Sequence, residues 1–267
     1  MIETVATGAG WIGEAVGSSG LMDGEAIGAS GLAYGGGVTP PVATTYQSSL
    51  YLPGTSGNYV STPDHASLDI TGDLGITAFI KLADWTPSVS LVPIVAKWTA
   101  TYTNSAYYFR VNGTSGTPGQ LGYLYTNGTA RIAASTAIAG FTDDTFGWIG
   151  VTHNLSGGEV KFWIGGSAST PSWVELGTAV SGLSTSSRDT CAAPVTINQV
   201  VGGSEAAQTV QYAAVHNGIG ANTAPGQGTL VAEFNATAPS PSGRYYDTTG
   251  KVWTINGSAW AWEVETV

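Results

Sequence analysis

Charge is what this sequence has least of. Only 10% of its 267 residues are Asp, Glu, Lys or Arg, and eighteen acids against eight bases leave a net charge of −10. No Lys or Arg occurs before Lys81. Nucleic-acid binding is therefore not expected, because phosphate affinity comes from clustered basic side chains. An anionic membrane surface is a poor partner on the same ground. Cysteine is almost absent as well. Cys191 stands alone, which excludes an intrachain disulfide and a cysteine-based metal site and leaves it to be read as a buried small apolar residue. No apolar run approaches the roughly 20 residues of a membrane-spanning helix, so membrane insertion is not expected. Met1-Ile2-Glu3 lacks the basic start of a signal peptide, so the chain is expected to stay in a cytoplasm or leave it by lysis. His65, His153 and His216 are widely spaced and match no metal-ligand pattern.

What the chain has in abundance is glycine, with 38 residues, and aromatics, with nine Trp and twelve Tyr. The segment Gly13–Leu21, GEAVGSSGL, is nearly repeated at Gly24–Leu32, GEAIGASGL. Residues 1–45 lack the side-chain volume to build a core, and they end at Thr39-Pro40-Pro41, which stops any helix. This arm is expected to anchor an assembly, with Gly13, Gly17, Gly20, Gly24, Gly28 and Gly31 as the oligomerisation stripe. Two readings of it stay open. It is a flexible tether, or a helix whose glycine stripe admits neighbouring backbones closely. A homotrimer is the expected symmetry.

From Tyr46 the pattern changes to period two. Gly75–Leu82, Leu91–Trp98, Tyr107–Val111, Gln120–Tyr125, Phe146–His153, Glu159–Ile164 and Val210–His216 read as strands, with shorter ones at Ser49–Leu52, Trp173–Leu176, Val195–Val201 and Leu230–Phe234. Asn112-Gly113, Asn127-Gly128 and Ser156-Gly157-Gly158 mark turns between them. Ten or more short strands with scarcely a helix predict two antiparallel sheets packed face to face. The domain limits expected are 46–237 for this sandwich and 238–267 for a C-terminal β-hairpin turning at Thr249-Gly250 or Asn256-Gly257.

Three stretches carry a family resemblance. Tyr51–Leu82, with its Pro-Asp and its Leu-Asp-Ile-Thr-Gly turn, is similar to the opening of laminin-G-like, concanavalin A-like jelly-roll domains. Ile94–Trp98, IVAKW, resembles their next strand, and Phe146–Gly166 resembles their W…G-x-v-x-f hairpin. The resemblance implies an all-β jelly-roll sandwich. With the glycine-rich leader and the terminal KVWTINGSA segment, it looks like minor tail proteins of tailed actinobacterial phages. Gly165 stands where the family often has an acid at the end of the second hairpin strand, which argues against carrying over its calcium site.

Candidate sites are few. There is no E-x-D-x-x-E strand of the kind jelly-roll glycosidases use, and Asp143-Asp144 would point to opposite faces of a strand. Gly8, Gly10 and Gly13 spell G-x-G-x-x-G but only continue the glycine period. Trp85, Trp98 and Tyr102, near Asp84 and Asn104, have the composition of a glycan site, where rings face the sugar and polar groups take its hydroxyls. Asp64, Asp69 and Asp73 are the candidates for calcium, with no other cofactor expected. The expectation is a non-enzymatic virion protein, a minor tail protein showing a lectin-like domain to host cell-wall polysaccharide or to other virion proteins. The alternatives are a capsid decoration protein and a bacterial carbohydrate-binding or glycoside hydrolase module.

Overall fold

The computed structural model describes residues 46–100, 102, 104–201, 205–220, 222–237 and 243–266. The glycine arm, its oligomerisation stripe and the G-x-G-x-x-G triplet lie outside the described residues.

Two antiparallel sheets hold all sixteen strands found among the described residues. The first runs β10 (Val174–Glu175), β9 (Glu159–Gly166), β8 (Thr145–Asn154), β3 (Leu74–Leu82), β12 (Ala207–Asn217), β1 (Tyr46–Pro53) and β16 (Ala261–Thr266), with β13 (Thr229–Asn235) also on β12. The second runs β14 (Arg244–Tyr246), β15 (Val252–Ile255), β2 (Val60–Thr62), β11 (Val195–Ile197), β4 (Leu91–Lys97), β5 (Tyr107–Asn112), β6 (Gln120–Thr126) and β7 (Ala130–Ile138). Among the described residues a single 3-10 turn, Ala66–Leu68, interrupts the strands.

Alternation sets which side chains meet. On β3, Leu74, Ile76, Ala78, Ile80 and Leu82 face inward and are fully or almost fully buried. They meet Tyr107, Phe109 and Val111 of β5 and Leu121, Tyr123 and Tyr125 of β6 in one continuous core. Burying each large apolar side chain contributes about 1.5–3 kcal/mol. Pro93 lies inside β4, where the register slips between Pro93 and Val95, as suits a residue with no N–H to give the ladder. At the β8–β9 turn Gly158 adopts φ +58 beside the Leu183 carbonyl, where a Cβ would sit 2.5 Å from that oxygen.

The end of the chain departs from the sequence reading. Only β14 and β15 form a hairpin, around Thr249-Gly250, and β15 joins the second sheet through β2. β16 instead crosses to the first sheet and pairs with β1 from Tyr46↔Thr266 to Tyr51↔Ala261. The segment expected as an appended hairpin thus supplies strands to both sheets.

Candidate functional site

The outer face of the second sheet carries the site. Tyr107, Phe109 and Val111 point inward on β5, so Tyr108 and Arg110 point out. Tyr108 lies between Ala96 of β4 and Leu124 of β6, and Arg110 between Pro93 and Gly122. Trp98, just past β4, packs on Tyr108 with ring centroids 6.1 Å apart. Ala96, Trp98, Tyr108, Leu124 and Val200 form a small apolar cluster separate from the main core.

The β4–β5 loop completes this surface with Tyr102. Its backbone N–H donates to the Thr99 carbonyl at 3.2 Å, while Ala106 N–H donates to Lys97 O at 2.9 Å. Ser105 Oγ accepts from Thr99 N–H at 2.9 Å. Held this way, Tyr102 takes φ +63, a region that costs a tyrosine about 1 kcal/mol or more and clusters at functional sites. Its ring stands edge-on to Trp98, centroids 5.7 Å apart and planes at 88°, and is 55% exposed. Between these rings, Arg110, Leu91, Leu124 and Val200 opens a pocket of about 180 Å³. Among the described residues no acidic side chain lines it, so they supply no carboxylate pair of the glycosidase kind there.

Arg110 is placed by a missing side chain. A Cβ on Gly122 would sit 2.6 Å from Asn112 Oδ1 and 3.0 Å from Arg110 Nε. Without it, Arg110 lies across β6 and donates from Nε to Asn112 Oδ1 at 2.8 Å. The guanidinium stands over the Tyr108 ring, Cζ 5.7 Å from the centroid. Burial pushes the Tyr108 phenol well up, and the nearby Arg110 charge draws it partly back. The Tyr108 hydroxyl nevertheless makes no hydrogen bond of good geometry.

Of the glycan candidates read from the sequence, Trp98 and Tyr102 meet here and the rest do not. Trp85 is 1% exposed, tilted against Phe141, with its indole N–H donated to Thr145 O at 3.1 Å. It is a core residue and offers no ring face to a ligand. Asp84 accepts from Thr86, and Asn104 Oδ1 accepts from Ala192 N–H. Tyr108, Arg110, Leu124 and Val200 were not singled out, although the out-facing series Tyr108, Arg110, Asn112 in an apolar strand was a usable signal.

The three calcium candidates are otherwise engaged. Lys97 Nζ, wholly buried, lies 2.6 Å from Asp64 and 3.2 Å from Asp69, and also donates to the carbonyls of Cys191 and Ala193. Asp73 accepts from Leu155 N–H at 2.8 Å. Among the described residues no group of three His, Cys, Asp or Glu side chains could hold a metal ion. Cys191 is buried as expected, but Lys97 Nζ lies 3.7 Å from its sulfur, a neighbour that local sequence did not reveal.

His153, next to last on β8, is fully buried. Arg188 donates to the carbonyls of Ile70 and Gly72 and to His153 Nδ1 at 3.0 Å. Because arginine only donates, Nδ1 accepts and the ring is neutral with its proton on Nε2. Burial, then the Arg188 charge, lowers its pKa to about 3.

A second hollow of about 290 Å³ lies on the outer face of the first sheet, by Phe79, Trp148 and Tyr212. Trp148 is already stacked on Phe79 at 4.8 Å and edged by Trp173 and Tyr212. It presents no free ring face.

Similarity to known proteins lies at the level of structure. No family model matches the sequence, and no curated protein matches it. The solved structure of a candidate carbohydrate-binding protein from Bacteroides ovatus is similar with a TM-score of 0.52 and 12% identity, over 83% of this chain and 60% of that one. The fold shared with it is an all-β jelly-roll sandwich of two antiparallel sheets. Domains LG4-5 of the mouse laminin α1 chain share 10% identity at a TM-score of 0.46, over 78% of this chain and 52% of theirs. A SAP-like pentraxin from Limulus polyphemus shares 13% identity at 0.42, over 63% and 75%. This jelly roll spans less than two thirds of the Bacteroides and laminin chains.

Proposed function

We propose that the jelly roll is a non-enzymatic glycan-binding module, displayed by a structural protein of a tailed-phage virion, of minor tail type. The observation that carries the binding role is Tyr102: a half-exposed ring held at φ +63 against Trp98, walling a pocket with a lone guanidinium. An aromatic wall takes the apolar face of a sugar, while convergent polar groups take its hydroxyls. The description of the Bacteroides ovatus protein as a candidate carbohydrate binder agrees with it. Support for the virion setting comes from sequence, namely the glycine-rich repeats before residue 45 and the KVWTINGSA segment. On this reading the arm joins copies into an oligomer with other virion proteins as neighbours, and the pocket meets host cell-wall polysaccharide.

A glycan array probed with the full chain tests the binding role. Signal on a defined set of saccharides, lost in Tyr102→Ala, is the expected result; silence of the unaltered protein across the array overturns it. Antibody against the protein should label phage tails in electron micrographs. Labelling of heads would make it a capsid decoration protein, and no labelled particle would remove the virion role.

A further inference from the structure

The pocket holds one formal charge, and it is positive in a protein of net charge −10. Arg110 spends Nε on Asn112, and its two terminal nitrogens make no hydrogen bond of good geometry to a described residue. None of the ion pairs among the described residues includes Arg110; they belong to Lys81, Lys97 and Lys161. A guanidinium with no carboxylate partner among the described residues is a fork suited to two oxygens of one anion. The Tyr108 hydroxyl, 3% exposed, lies beneath this surface and interacts with the Arg110 guanidinium. The other lining groups, Leu91, Trp98, Tyr102, Leu124 and Val200, offer apolar and aromatic surface. At about 180 Å³ the pocket holds one sugar ring rather than a chain.

We infer that this pocket selects a saccharide residue bearing an anionic group, a uronic-acid carboxylate seated on Arg110, with the sugar ring against the exposed ring of Tyr102. The inference rests on the glycan-binding reading and names its substrate class. Gly122 is then a specificity device, because any side chain there would lift Arg110 from its seat. A sugar phosphate offers the same oxygen pair, so the test separates the two sources.

The experiment is a titration of the full chain, followed by protein-detected NMR, with methyl glucuronide, methyl glucoside and glucose 6-phosphate. The uronide should bind at least about tenfold more tightly than the glucoside at low ionic strength, and added salt should narrow the gap. Arg110→Gln should lower uronide affinity by at least about tenfold, to that of the glucoside or below, and Gly122→Ala should mimic it with an unchanged circular dichroism spectrum. Stronger binding of glucose 6-phosphate than of the uronide, also lost in Arg110→Gln, keeps the anionic class and assigns phosphate as the group. Equal binding of uronide and glucoside, unaffected by Arg110→Gln, overturns the inference and leaves the glycan site standing. Absence of binding to all three, joined to a silent glycan array, removes the underlying reading instead.

Discussion

Lys97 Nζ stands 2.6 Å from Asp64 Oδ1 with its own side chain wholly withdrawn from solvent. Burial works to lower the lysine's pKa, but the Asp64 hydrogen bond and the charges of Cys191, Asp69 and Asp64 outweigh it, so the net shift is upward from 10.5. A raised value means that the stabilisation is complete below pH 10.5 and is lost as pH climbs through the folded-state value. Lys97→Met should lower unfolding stability by about 3 kcal/mol in urea, because it strands two acids and two carbonyls.

The same ammonium bears on calcium binding. It lies between the two acids a calcium ion would need, so neither calcium nor a chelator should move the melting temperature by more than about 1 °C, against the rise that ligand linkage requires. A clear calcium-dependent rise in a thermal melt would show that the ion displaces Lys97.

His153 makes stability fall in mild acid. Its pKa drops from 6.5 to about 3 on folding, and burial lowers that of His216 to about 4. Both are neutral when folded, so stability is full above pH 6.5 and declines as pH falls from there towards those values. Each proton taken up on unfolding contributes a slope of up to about 1.4 kcal/mol per pH unit. Urea midpoints between pH 7 and pH 4 should show the decline, with a shallower slope in His153→Gln.

Asp247 clips β13 to the β14–β15 hairpin. Its carboxylate accepts five hydrogen bonds, from Glu233 N, Thr249 N, Thr249 Oγ1, Lys251 N and Trp253 Nε1. Burial raises its pKa, but these donors pull harder and hold it below 3.8. Asp247→Asn should cost about 2 kcal/mol, since one acceptor oxygen becomes a donor facing N–H groups. The destabilisation should shrink as pH falls below 3.8 and on through the lower folded-state value, where the native acid itself becomes protonated.

Tyr102 should separate binding from folding. Tyr102→Gly relieves a left-handed backbone and removes only an exposed ring, so stability should stay within about 1 kcal/mol of the parent while glycan binding disappears. A chain lacking residues 1–38 should likewise keep the parent's circular dichroism and sugar affinity, yet sediment as a monomer where the full chain forms an oligomer.

The central strands were legible because each is a long apolar run bounded by turn residues, as in Leu74–Leu82 and Thr145–Asn154. β7, Ala130–Ile138, escaped notice. It is an edge strand built mostly of Ala, Ser and Thr, and only Ala133 and Ser135 are buried. β2 is three residues long and takes its place from its neighbours. Trp98 and Tyr102 could be paired from sequence because one loop links them. Trp85 could not be assigned to the core, since its cover, Phe141, comes from a distant loop. Lys97 likewise meets Asp64 only because the second sheet carries β4 to the rim where the Asp64 loop turns. Such contacts belong to topology, and local periodicity carries no record of them.

The ladder joining Tyr46 to Thr266 sets how this domain bears load. Backbone enters and leaves at one point on the first sheet's border, so tension between those two ends would unzip β16 from β1 pair by pair, at low force. Tension between either end and the Tyr102 loop has to cross the sandwich and strain many strand pairs together. Load applied between that border and the Tyr102 loop is therefore carried along the stronger direction.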